Sequence, residues 1–181
     1  AELRLEPCPA ARWGFLGFFA EEAKAVLAVQ VLRGYGRSGK ALPHCLCALE
    51  YFDADALELI RTGASVTGLL FPPFPKEHGV ALYAEWAWGD GETDKVLNAI
   101  AQCLGGDAWV AADSARLKVL KDFRHAAPER VNALIAERKR EYPALTKLGT
   151  DLSVPDNRLV DVMRLYREGL RRERLESVVF G

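Results

Sequence analysis

The sequence predicts an α+β fold, a ferredoxin-like antiparallel sheet with helices on one face. Three observations lead there. Residues 12–105 alternate strand-like apolar runs with helix-patterned ones. The connections are short and the strands mixed in character, which suits an antiparallel α+β sheet better than a doubly wound one. The composition is that of a globular domain: 181 residues, 50% hydrophobic, 27% charged. The alternating order by itself would also permit a parallel α/β sheet.

The elements follow in order. Gly14 to Phe19 is an aromatic-rich apolar run that predicts a strand. From Glu21 to Leu32, Ala23, Val26, Leu27 and Val31 recur at helical spacing, with Glu21 and Glu22 where the helix dipole favours acids. Gly34 to Lys40 holds three glycines and predicts a loop. Leu46 to Phe52 is the next strand. Asp53 is placed to cap a helix running to about Arg61, with Gly63 as its stop. Residues 68–79 are broken by prolines and cannot form a central strand. In Val80 to Trp88, alternation puts Val80, Leu82, Ala84 and Trp86 on one face and Tyr83, Glu85 and Ala87 on the other. Asp90-Gly91 predicts a turn, Thr93 to Leu104 a helix, and Gly105-Gly106 its end.

The second half, 106–181, combines helix and strand. Ser114 to about Arg140 repeats Leu117, Leu120, Phe123, Ala127, Val131, Leu134 and Ile135 at helical steps. Pro128 removes a hydrogen bond and crowds the preceding turn, so two helices are expected there. A half-buried strand is expected over 147–152, continuing the alternation of Asp151 and Ser153 with Leu152 and Val154. A helix over 156–172 would bury Leu159, Val162, Met163, Tyr166 and Leu170. Its arginines are offset by nearby acids, which favours a solvated face. Ser177 to Gly181 is a short strand.

Several function classes find no support. A net charge of −1 gives no electrostatic case for nucleic acid or an anionic membrane. No apolar run approaches the length of a membrane span. Cys8, Cys45, Cys47 and Cys103 lack a second ligand pair at zinc spacing and are expected as buried thiols in a reducing, cytoplasmic setting. His44, His78 and His125 form no helical pair. No phosphate loop, dinucleotide fingerprint or nucleophile motif is present.

The segment Asp151-Leu152-Ser153-Val154-Pro155, the helix after it and Ser177-Val178-Val179-Phe180-Gly181 together resemble the C-terminal domain of FAD-linked oxidases. These are the D-lactate dehydrogenase and glycolate oxidase flavoproteins of the vanillyl-alcohol oxidase superfamily. The run Leu120 to Glu129, with Arg124 and Pro128-Glu129, is similar to the helix that precedes this segment in that family. Ala11-Arg12-Trp13 and Leu49 to Leu57 agree less specifically. The resemblance implies an α+β substrate or cap domain, with helices on one side of its sheet. Its Phe-Gly would lead into a His-x-Gly-Asp-x-x-x-His run carrying metal ligands or a base. The chain is therefore expected to be part of a longer polypeptide, entered in mid-protein at Ala1 and left at Gly181. A separate domain of that polypeptide would bind FAD, and this part alone would neither hold FAD nor turn over.

What the resemblance implies for function is the oxidation of a 2-hydroxyacid such as D-lactate or glycolate. The electron acceptor is undefined. The parent would be cytoplasmic or peripheral at the inner membrane. The face the flavin domain covers would be the surface for any homodimer. Arg124 would bind the substrate carboxylate, because a planar guanidinium matches it with two parallel hydrogen bonds. A solvated helix arginine is the competing reading. Lys147 would reach toward the same carboxylate, although it stands four positions before Asp151 where some relatives place the lysine two before. An exposed lysine is its competing reading. His125 is expected to be solvated. Glu50 and Glu85, on otherwise apolar strands, are expected to pair with a lysine or arginine and are given no catalytic role. The open alternative to the whole assignment is a non-catalytic α+β ligand-binding or oligomerisation module.

Overall fold

β1 (Ala11–Phe19) lies at the middle of the sheet and sets its organisation. The computed structural model describes residues 11–37, 45–67, 71, 79–88, 97–98, 100–101 and 108–181. Around β1 are β2 (Cys45–Phe52), β3 (Val80–Trp88) and β4 (Ala108–Ala111), in the order β2-β3-β1-β4. Every pairing is antiparallel. The fold is α+β with an open ferredoxin-like sheet, as the sequence predicts. Phe15 pairs with Ala84 on one side and Val110 on the other.

The helices are α1 (Glu22–Arg37), α2 (Ala54–Thr67), α3 (Ser114–Arg138) and α4 (Leu159–Arg172). They do not lie on one face, contrary to expectation. Alternation along the strands sends two apolar sets in opposite directions, and each set finds helices. Phe15, Phe19, Leu82, Ala84 and Trp86 pack with Ala25, Ala28 and Leu32 of α1 and with Ile100. Leu16, Phe18, Ala81 and Phe52 pack with Ala56, Leu57 and Ile60 of α2 and with Leu120, Phe123 and Ala127 of α3. A sheet apolar on both faces needs cover on both, and the result is three layers.

Several local expectations change for physical reasons. α1 runs through Gly34 and Gly36 to Arg37, where a loop is predicted; residues 38–40 lie outside the described residues. Asp53 caps α2 as expected, its Oδ1 accepting the Ala56 N–H at 2.8 Å. The helix then passes Gly63 instead of stopping there. A Cβ on Gly63 would stand 2.3 Å from Cδ and Nε of Arg130, so this glycine is what lets the α3 arginine cross α2. α3 is continuous through Pro128. Proline is costly inside a helix, but Phe123, Ala126 and Ala127 before it are buried against the sheet and Arg130 after it lies over α2. Packing on both sides outweighs the local penalty.

The expected strand over 147–152 is absent: these residues have no regular structure. Leu148 is 86% exposed and Leu152 59%, so the alternating pattern finds no ladder partner to bury it. The chain end behaves as a strand should. Tyr51 donates its N–H to the Gly181 carbonyl at 2.9 Å and accepts the Gly181 N–H at 3.0 Å, with an isolated bridge between Phe52 and Phe180. Residues 179–181 thereby extend the outer edge of β2. The loop 72–78, the turn at Asp90-Gly91 and the glycines 105–106 lie outside the described residues. Of the predicted helix 93–104, residues 97, 98, 100 and 101 are described and are helical.

α4 buries no residue fully, against the expectation for Leu159, Val162, Met163, Tyr166 and Leu170, which are half-buried. Polar contacts hold it and the turn before it to α1. Arg33 pairs with Asp156 at 3.0 Å, Gln30 donates to the Asp156 carbonyl at 2.8 Å, and Arg167 pairs with Glu22. Cys47 sits at the bulge in β2 and is exposed, where a buried thiol is expected. Cys8, Cys103, His44 and His78 lie outside the described residues, as does the side chain of Cys45.

Candidate functional site

Where α3 crosses the sheet, the strand face beneath it changes from apolar to polar. Register brings this about. Glu50 of β2 is paired with Tyr83 of β3, and Glu85 of β3 with Gly14 of β1. Glu50, Tyr83 and Glu85 therefore form a polar row across the sheet, which Arg12 of β1 continues. α3 comes close here because Gly14 has no side chain: a Cβ would meet Leu117 Cδ1 at 2.7 Å. Lys121 and Arg124, three residues apart on α3, fall on one side of that helix and meet the row.

The contacts form a chain of charges. Arg124 donates its Nε–H to Oε1 of Glu50 and lies over the Tyr83 ring, 5.8 Å from its centroid. The Tyr83 hydroxyl donates to Oε1 of Glu85. Oε2 of Glu85 is 3.6 Å from both Arg12 and Lys121. Glu85 is only 3% exposed, and a buried carboxylate of this kind needs such partners. The Tyr83 phenol is pushed far above its ordinary value, first by burial and then by its hydrogen bond to Glu85. With Arg12, Lys121 and Arg124 against Glu50 and Glu85, the cluster carries one net positive charge.

A second cluster joins α1, β2 and α4. The Tyr51 hydroxyl donates to Glu22 at 2.7 Å, and Arg167 reaches both groups. Burial, then the Glu22 hydrogen bond, raises the Tyr51 phenol in the same way. Asp53 beside it is raised from its ordinary value by desolvation, against the hydrogen bonds it accepts from Ala56 and Val179. These groups satisfy one another and tie the C-terminal segment to the body.

The two sequence-predicted site residues are placed apart. Arg124 is at the polar row, paired with Glu50 and one-third exposed. Lys147 is exposed and donates to Asn132 Oδ1 at 3.0 Å. Asn132 lies eight residues beyond Arg124 along α3, about 12 Å at 1.5 Å per residue. His125 is exposed, as its position beside Arg124 predicts. Glu50 and Glu85 do pair with cations. Sequence reasoning gave Tyr83, Arg12 and Lys121 no part in this. The available signal was a carboxylate on each of two apolar strands, which a folded chain must neutralise.

The polar row does not suit a dinucleotide. The cluster's cations face carboxylates, whereas a pyrophosphate needs unopposed donors. Among the described residues, no group of three or more His, Cys, Asp or Glu could hold a metal ion. No described helix is long and apolar enough to cross a membrane. A scan of protein-family models finds no match to this chain, and a search of curated proteins finds none either.

Proposed function

We propose that this chain is the substrate-binding cap domain of an FAD-dependent oxidoreductase that converts a 2-hydroxyacid, such as D-lactate or glycolate, to the 2-oxoacid. The observation that carries the reading is Arg124. It belongs to the helix that resembles the substrate-binding helix of FAD-linked oxidases, and its guanidinium stands at the edge of a cluster with one net positive charge. The hydrogen bond made by Arg124 uses Nε, and a third of the side chain is exposed. Its two terminal amino groups suit a carboxylate, which accepts parallel hydrogen bonds from such a fork. A bound monocarboxylate would neutralise the cluster.

FAD, held by another domain of the same polypeptide, would accept the hydride. The part of this chain is to bind and orient the substrate. Lys147, exposed and tied to Asn132, would contribute only by leaving that partner.

The test uses the gene's full polypeptide: its visible spectrum, and bleaching of the flavin bands by D- and L-2-hydroxyacids. Bound flavin that bleaches with a hydroxyacid, and fails to do so in Arg124→Ala, is the expected result. A product without flavin, or bleaching unaffected by Arg124→Ala, overturns it. In the first case the alternative is a ligand-binding or oligomerisation module with the same fold.

A further inference from the structure

We propose that Glu50 is the positioning residue of Arg124, taking its Nε–H so that both terminal amino groups are left for a single carboxylate. The inference rests on the carboxylate-binding reading of Arg124 given above. An arginine side chain has many rotamers, and freezing it at the moment of binding costs affinity. Here that cost is met before a ligand arrives. The Glu50 carboxylate holds one edge of the guanidinium, and the Tyr83 ring supports its face. Tyr83 is in turn anchored through its hydroxyl to Glu85, which Arg12 and Lys121 neutralise. Glu50 is paired with Tyr83 across the strands, so one register sets both supports.

Glu50 also carries a negative charge next to the bound anion. Charge alone therefore predicts that removing Glu50 tightens binding, and positioning predicts that it weakens it. Glu50→Gln and Glu50→Leu remove the same charge, but only glutamine keeps an oxygen that accepts the Nε–H. Comparing these two variants isolates the hydrogen bond from the charge.

The experiment is an anaerobic NMR titration of the gene's full polypeptide, its flavin reduced beforehand, with sodium D-lactate and with sodium glycolate, following the Arg124 Nε–Hε resonance and its exchange with water. The expected result is a slowly exchanging Hε in wild type and Glu50→Gln, fast exchange in Glu50→Leu, and D-lactate or glycolate bound about tenfold more weakly by Glu50→Leu than by Glu50→Gln. Equal affinity of the two variants, with Arg124→Gln still abolishing binding, overturns the positioning role and leaves the carboxylate site standing. An Hε that exchanges freely in the wild type overturns positioning without recourse to any variant. D-lactate and glycolate that both fail to bind wild type, or that bind Arg124→Gln equally well, overturn the carboxylate reading and the positioning role with it.

Discussion

Arg124 on α3 donates its Nε–H to Glu50 on β2, 74 residues earlier in the chain. This pair joins the helical layer to the sheet at the point where the face between them turns polar. Both side chains are at most one-third exposed, so the interaction is worth more than a surface ion pair yet still partly screened. A double-mutant cycle of Arg124→Ala and Glu50→Ala, read by urea unfolding, is expected to give a coupling of about 1 kcal/mol. Additive effects would show that the pair contributes nothing to the fold.

The contact of Gly63 with Arg130 gives a prediction whose sign depends on background. Alanine is the better helix former, by about 1 kcal/mol, but its Cβ would meet Arg130 at 2.3 Å. Gly63→Ala is expected to lower stability by about 1–2 kcal/mol in the wild type. In an Arg130→Ala background the same change is expected to raise it by up to about 1 kcal/mol. Thermal or urea unfolding of the four proteins checks this, and the same sign in both backgrounds refutes it.

Asp53 provides a pH dependence. Burial raises its carboxyl above the unfolded value of 3.8. Between the two values the folded chain binds the proton and the unfolded chain does not, so stability falls as pH rises through that window and is level above it. Asp53→Asn keeps the oxygen that accepts the Ala56 N–H and loses the charge. The excess of its urea midpoint over that of the wild type is expected to grow as pH rises through that window and to level off above it.

Tyr51 and Tyr83 act at the alkaline end. Both phenols are raised well above 10.0, by burial first and then by donating to Glu22 and Glu85. Their contribution is whole below the unfolded value and is lost as pH climbs above it. An alkaline titration followed by phenolate absorbance is expected to show a late step at unfolding. Tyr51 and Tyr83 are expected to ionise only as the chain unfolds. Replacing each with Phe should remove one phenol from that late step.

The exposed leucines make a test of what the isolated fold needs. Leu148→Ser and Leu152→Ser are expected to change stability by less than about 0.5 kcal/mol. Leu57→Ala, at a position 1% exposed, is expected to cost about 2–5 kcal/mol. A large loss at Leu148 would mean that it packs against something in solution.

Much of this fold is legible in the sequence because it depends on local pattern. Period-two alternation in Val80–Trp88 correctly separates the two sets of side chains, and Asp53 caps the helix it precedes. The errors occur where a distant contact decides. Gly63 reads as a helix stop until Arg130 is seen lying over it. Pro128 reads as a break until burial on one side and Arg130 on the other hold the helix together. Leu148 and Leu152 carry a strand's pattern, but pattern cannot supply the neighbouring strand.

The site divides in the same way. The sequence by itself determined that Arg124 is a helix arginine in a suggestive run, and that Glu50 and Glu85 are charges their apolar strands must neutralise. A buried charge needs a partner wherever it lies, and that much is independent of topology. Only the tertiary structure decided which partners they have, because strand register and the approach of α3 over Gly14 bring residues 12, 50, 83, 85, 121 and 124 together. It also decided that the helices cover both faces of the sheet. Hydrophobic periodicity marks a face as apolar, but the route of the chain in three dimensions determines what covers it.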